Sequence, residues 1–276
     1  MAGRRRSLKR AACTDESRDS GPSLAAGVSG FMTATPAWPP KSLPRLYVRQ
    51  PLSEESVVEL DGSQTNYIGN VMRLGTGAEL LVFDGLSGEW LARVADVAKK
   101  RMTLVVERRT RESEIIPDVW LAFAPVKRTQ TDWLVEKATE LGAARLVPVM
   151  TQRTIAERVR LDRLESIAIE AAEQCGRTRI PEIVEPMPLP RFIAELDPGR
   201  HFYFADEAGG EPLARAYREG PAVILVGPEG GFTDQERAFI HGEGASPISL
   251  GPRILRAETA ALAALAGFMA IAGDWR

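Results

Sequence analysis

The sequence predicts an α/β protein: a mainly parallel sheet with helices on both faces, preceded by a small β-barrel. Three observations carry this. From Val119 onward, apolar strand-like runs alternate with helical patterns as far as the C-terminus. That rhythm is the mark of strand–helix–strand units, which set strands parallel and cover both faces of the sheet. Between Leu46 and Arg109 the pattern is instead one of short β-like runs punctuated by glycines, as in a small all-β unit. The rhythm changes at Arg111 to Pro117, a polar stretch ending in proline that reads as a linker.

Composition sets the outer limits. A chain of 276 residues holds one large domain or two ordinary ones. With 44% hydrophobic and 26% charged residues it has the makings of real cores. No apolar run reaches the roughly 18 residues that a membrane span needs, so no membrane partner is expected; the richest stretch, Ala260 to Ala272, is short and dominated by alanine. Cys13 lies in the tail and Cys175 in a helical pattern. No disulfide framework is expected, and a reducing cytoplasm fits. His201 and His241 are far apart and lack cysteine partners, so no metal site is expected. A net charge of −2 excludes a small DNA-coating protein but not an enzyme that docks on RNA through one local patch.

In order along the chain, residues 1 to 43 stand apart. Arg4, Arg5, Arg6, Lys9 and Arg10 precede a Ser-, Gly-, Ala- and Pro-rich stretch without a period, a composition that cannot offset its chain entropy by burial. Three readings stay open: a disordered extension (or an artefactual one, with Met32 as the true start), an RNA-binding arm, or a targeting peptide. Residues 44 to 112 give the barrel, with strands at Leu46 to Val48, Ala78 to Phe83, Glu89 to Val94 and Met102 to Val106, and a short helix from Asn66 to Leu74. Its edges are basic, with Arg93, Lys99, Lys100, Arg101, Arg108 and Arg109. These charges are read equally as a solvated rim or as RNA contacts.

Residues 117 to 276 give the α/β unit. Strands are expected at Val119 to Val126, Arg145 to Met150, Ile183 to Pro186, His201 to Ala205, Ala222 to Val226 and Ile248 to Leu250. Helices are expected at Gln130 to Leu141, Leu161 to Gly176, Arg191 to Leu196, Pro212 to Arg218, Asp234 to His241 and from Ala257 to the end. Thr233 with Glu236 forms a capping box for the helix from Asp234.

Open α/β sheets bind ligands at the carboxyl ends of their strands. Two such ends are distinctive here. Ala222 to Val226 runs into Gly227-Pro228-Glu229-Gly230-Gly231-Phe232, and Ile248 to Leu250 runs into Gly251-Pro252-Arg253-Ile254-Leu255-Arg256. Glycines there let backbone approach a ligand closely. The first loop lacks the Lys-Ser/Thr of a P-loop and the spacing of a dinucleotide fold. On its own it is equally a structural turn.

Taken together, Val226 to Thr233 followed by Leu250 to Ala260 resembles the paired signature of the RsmE family, the 16S ribosomal RNA uridine-N3 methyltransferases of the SPOUT superfamily. Lys137 to Gly142 and Glu173 to Arg177 match as well. The resemblance runs from about residue 45 to residue 276 and departs at Tyr67 and Ile68, where family members often carry histidine and leucine. It implies a PUA-like barrel, a C-terminal trefoil knot, a homodimer, and 16S rRNA as partner, within the 30S subunit. It also implies S-adenosyl-L-methionine bound between the two loops, at Val226, Gly227, Glu229, Gly230, Leu250, Gly251, Leu255, Arg256, Glu258 and Thr259.

For the chemistry, uridine N3 is a nucleophile only once its proton leaves, so a base or a well-placed positive charge is required. Arg256 is the candidate for that charge, with an ion pair to Glu229 or Glu258 as its alternative role. Glu229 is a candidate base or orienting group, and the base itself stays unassigned. RNA contact is expected from Lys127, Arg128, Arg153, Gln174 and Arg177, with Arg179 alongside. Arg158, Arg160 and Arg163 read as solvated helix charges. Two alternatives remain: a knotted methyltransferase acting on a ribose 2′-oxygen or on tRNA, and a non-catalytic RNA-binding ribosome assembly factor.

Overall fold

The computed structural model of the chain describes residues 43–98, 101–156 and 158–275. The basic run Arg4 to Arg10, Met32 and the barrel-edge residues Lys99 and Lys100 lie outside the described residues.

The N-terminal part holds β1 (Arg45–Tyr47), β2 (Val57–Leu60), α1 (Gly62–Asn66), β3 (Glu79–Phe83), β4 (Glu89–Ala98) and β5 (Arg101–Arg111). The strands form one sheet in the order β1-β3-β4-β5-β2, parallel between β1 and β3 and antiparallel elsewhere. Alternate residues point inward: Leu80 and Val82, Ala92 and Val94, then Met102, Leu104 and Val106 share one buried cluster with Leu46, Val58 and Ile68. Three register shifts along β4 and β5 mark bulges, which sharpen the twist of a two-faced sheet. Among the described residues the five strands form one continuous sheet with β1 and β2 at its two ends.

Strands β4 and β5 run past their expected ends at Val94 and Val106. Strand β2 was not foreseen. The expected helix at Asn66 to Leu74 begins earlier, because Asp61 and Gln64 close a capping box (Gln64 N to Asp61 Oδ1, 2.8 Å), and it continues as a π-helical turn from Tyr67 to Val71.

The larger part holds β6 (Val119–Phe123), α2 (Arg128–Glu140), β7 (Arg145–Met150), α3 (Leu161–Cys175), β8 (Glu182–Ile183), β9 (Met187–Pro188), α4 (Leu189–Ala194), β10 (His201–Ala205), β11 (Glu211–Pro212), α5 (Leu213–Ala216), β12 (Ala222–Val226), α6 (Asp234–Gly242), β13 (Ser246–Ser249) and α7 (Ala257–Ile271). Its sheet is parallel at every pairing and runs β11-β13-β10-β12-β6-β7-β8, with β9 paired to β7. Every residue of β12 is buried, as a continuous apolar run in a doubly covered sheet must be. Ala222, Ile224 and Val226 face one cluster with Leu134, Leu164, Leu265 and Phe268, which belong to α2, α3 and α7. Val223 and Leu225 face the other with Phe192 and Ile240, from α4 and α6.

The two sheets meet at the end of α3. Gly176 takes the left-handed cap (φ 85°) and stops the helix. Arg45, from β1, then donates to three carbonyls around that turn: Nη1 to Ala172 O (2.6 Å) and Glu173 O (3.0 Å), Nη2 to Arg177 O (2.7 Å). Its Nε pairs with the buried Glu89 at 2.7 Å. Arg111 donates to Gly176 O and to Glu89. The expected linker is anchored too, because Glu114 Oε1 accepts from Thr178 N (3.1 Å) and Arg179 N (3.0 Å).

Candidate active site

The carboxyl ends of β13, β10 and β12 lie side by side in that order. Their loops enclose a crevice of about 620 Å³. β10 runs between the strands that carry the two glycine loops and contributes a third loop.

The first loop follows β12. A side chain at Gly227 would meet the Phe232 ring at 3.0 Å, and Phe232 is itself fixed in the core, edge-on to Phe204. Gly231 turns at φ +66°, its amide donating to Pro228 O at 2.9 Å. Arg153 lies over this loop and donates to Gly230 O (2.6 Å) and Phe232 O (3.4 Å). The Thr233–Glu236 capping box forms as expected, and Glu236 also accepts from Gln152 N at 2.7 Å. Residues 152 and 153 therefore hold the loop from the β7 side.

The second loop follows β13. Gly251 has φ +105°, and a Cβ there would meet nothing within 4 Å; the space is an open cradle. Leu250 and Leu255 lean on the main core, whereas Ile254 is 94% exposed at the tip. Arg256 caps α7 through its backbone, with Ala260 N to Arg256 O at 2.7 Å, and makes no side-chain cap. Among the described residues its guanidinium has no ion pair, so neither Glu229 nor Glu258 holds it. The N–H groups of Ile254 and Leu255 donate to no backbone carbonyl among the described residues.

The third loop was missed by sequence reasoning. Asp206, Glu207 and Gly209 line the crevice just past β10. The Asp206 side chain is 2% exposed and ion-paired to Arg237, which also holds Glu207 at 2.9 Å; His241 Nε2 stands 3.8 Å from Asp206. Neither carboxylate belongs to a motif. The available signal was positional: Asp206 and Glu207 end an apolar strand of a parallel sheet.

Of the residues expected to hold a cofactor, Val226, Gly227, Glu229, Gly230, Leu250, Gly251, Leu255 and Arg256 line the crevice. Glu258 and Thr259 do not; Ala257 and Ala260 of α7 line it instead. S-adenosyl-L-methionine fits these residues. Its adenine suits apolar walls with backbone N–H groups at hand, its hydroxyls suit carboxylate acceptors, and its positive charge suits the Asp206–Glu207 side.

Among the RNA candidates, Lys127 and Arg128 are exposed at the start of α2, and Gln174 is exposed near the end of α3. Arg177 turns the other way. It is 6% exposed and donates to Thr139 O (2.7 Å) and Ala143 O (3.1 Å), with Glu114 at 3.4 Å. Burial lowers its pKa from the ordinary guanidinium value, opposed by Glu114. The expected RNA contact through Arg177 gives way to a structural role, because the left-handed turn at Gly176 sends the chain back under α2.

Comparison with known proteins agrees with this geometry. A family described as "RNA methyltransferase domain" matches residues 112–269, and one described as "RNA methyltransferase PUA domain" matches residues 60–107. The chain is 34% identical over 235 residues to the ribosomal RNA small subunit methyltransferase E of Synechocystis, covering 82% of this chain and 77% of that one. It is 30% identical to the Rickettsia conorii protein of the same name, over 80% and 93% of the two chains. Among solved structures, it is similar to the Neisseria gonorrhoeae ribosomal RNA small subunit methyltransferase E bound to S-adenosyl methionine, with TM-score 0.78, 28% identity and coverage of 85% and 100%. A methyltransferase from Legionella pneumophila in complex with the same cofactor gives TM-score 0.77 and 31% identity over 84% and 99%.

Proposed function

The chain belongs to the ribosomal RNA small subunit methyltransferase E family, and from that premise we propose that it uses S-adenosyl-L-methionine to methylate N3 of one uridine in 16S rRNA. The observation that carries this reading is the crevice between the two glycine loops, with the guanidinium of Arg256 in its lining and outside any ion pair among the described residues.

When bound, S-adenosyl-L-methionine supplies a methyl group on a positively charged sulfur. The chain's residues do the rest. Val226, Leu250 and Leu255 give apolar walls; Gly227, Gly230 and Gly251 keep the backbone clear for close approach. Arg256 stabilises the negative charge that develops on the uracil as the N3 proton leaves; a guanidinium stays protonated and suits this better than accepting a proton. Glu229 is exposed and, among the described residues, outside any ion pair, so it is free to take that proton or to orient the base. Holding nucleophile and methyl in line supplies further acceleration.

Lys127, Arg128 and Gln174 are the exposed residues we assign to RNA contact, with Arg153 at the edge of the first loop. We assign RNA binding to residues 44–112, as a PUA-like barrel, and catalysis to residues 117–276, with the family's trefoil knot at the C-terminus, a homodimer as the working unit and the 30S subunit in the cytoplasm as the target. No helix among the described residues is long and apolar enough to cross a membrane.

Mass spectrometry of 16S rRNA nucleosides tests the reading. Deleting the gene should remove one N3-methyluridine, and the wild-type gene should restore it. Loss of a 2′-O-methyl nucleoside, a change confined to tRNA, or no change at all would overturn it.

A further inference from the structure

A second cavity lies beside the crevice on the same edge of the parallel sheet. β6 pairs with β12, and where β12 opens into the crevice, the carboxyl end of β6 opens into a pocket of about 370 Å³. Its floor is apolar, made by Pro125, Val126, Val159 and Leu164. Among the described residues its rim carries five cations, Lys127, Arg128, Arg158, Arg160 and Arg163, against one carboxylate, Asp132.

The ion pairs leave the rim positive. Asp132 is taken by Arg163, at 2.6 Å and 3.0 Å, with Arg128 at 3.9 Å. Arg160 is paired with Asp162 at 2.5 Å. Lys127 and Arg158 are exposed and have no ion pair among the described residues. Solvated helix charges are usually interspersed in sign. Three excess positive charges among the described residues around one apolar concavity make instead a local field for a polyanion with an apolar part. The volume falls in the range of pockets that hold one small ligand.

We propose that this pocket seats one nucleotide of the substrate RNA next to the residue being methylated, its base over the floor and its phosphates on Lys127 and Arg158. This rests on the rRNA methyltransferase reading. The adjacency of β6 and β12 suits a strand that crosses from one cavity to the next. The Arg163–Asp132 pair fixes the inner wall, so Arg163 is a positioning residue and the two unpaired cations are the contacts.

Small ribosomal subunits from cells lacking the methyltransferase gene serve as the probe for the full-length protein. In the Lys127→Ala/Arg158→Ala double variant, KM for subunits should rise about tenfold or more with kcat within twofold. Losing two phosphate contacts should lower the slope of log affinity against log salt by about 2. Ala156→Trp, which fills the pocket without changing charge, should raise KM similarly. A benzophenone-bearing residue in place of Ile155, exposed on the loop before the rim, should crosslink to 16S rRNA. Unchanged KM and salt slope in the double variant would overturn the proposal. So would a charge effect with none from Ala156→Trp, which means a diffuse patch, or capture of a ribosomal protein in place of RNA. If the wild-type protein methylates no subunit, the parent reading has failed instead.

Discussion

Arg256→Ala removes one guanidinium from the lining of the crevice and almost nothing else. The side chain is exposed, makes no cap for α7, and has no ion pair among the described residues. Its loss should therefore change folding stability by no more than about 0.5 kcal/mol, as for a surface position free of special features. Catalysis is a different matter. A single positioned group that stabilises a developing anion is worth about 2.7–4 kcal/mol, or about 100- to 1000-fold in kcat. Methyl transfer to small subunits, followed with radiolabelled S-adenosyl-L-methionine, should fall by that factor. Cofactor affinity by calorimetry should stay within about threefold, because the charge acts on the base being methylated. Arg256→Lys should recover part of the rate, since an ammonium supplies charge but not the planar fork. A kcat for Arg256→Ala within threefold of wild type would remove Arg256 from the chemistry. A melting transition far below wild type would show that the side chain is structural.

Other expectations concern the scaffold and the cradle. Arg45→Ala removes a donor from three carbonyls at the end of α3, of which Ala172 O keeps the Gly176 amide, and leaves the buried Glu89 ion-paired to Arg111 alone among the described residues; denaturant unfolding should show a loss of about 3–5 kcal/mol, and a loss under 1 kcal/mol would mean the junction is loose. Gly251→Val places a branched side chain at φ +105° and fills the open space beside it. Affinity for S-adenosyl-L-methionine should drop at least tenfold with the thermal transition retained, and undiminished affinity would take the second loop out of the site. Burial raises the pKa of Glu173, against the Tyr47 amide and Arg45. The folded state thus holds this proton more tightly than the unfolded chain, and the group's penalty to stability grows as pH rises through the raised pKa. Glu173→Gln keeps an oxygen for Tyr47 N and should gain stability over wild type from acid to neutral pH; a pH-independent difference would refute this.

Much of the fold was legible because local signals agreed. β7, β10 and β12 begin and end where expected, since each is a compact apolar run between turn residues. The Thr233–Glu236 box fixed the start of α6. What escaped depends on contacts distant in sequence. That β10 runs between β12 and β13 is a matter of sheet order, so Asp206 and Glu207 had no motif to announce them. Arg177 follows a helix end and resembles a free surface charge; only the carbonyls of Thr139 and Ala143 reveal its inward turn. Arg45 likewise shows its role only when α3 is brought to β1. Glu258 and Thr259 were placed by family resemblance, and the helical turn at the start of α7 presents Ala257 and Ala260 to the crevice in their stead.

The most direct measurement is a crystal of the protein soaked with S-adenosyl-L-methionine. Density for the cofactor should lie between residues 226–231 and 250–256, with Glu207 near its hydroxyls and the methyl within reach of a base held by Arg256. Cofactor density elsewhere, or none in that crevice at saturating concentration, would contradict the assignment of this site.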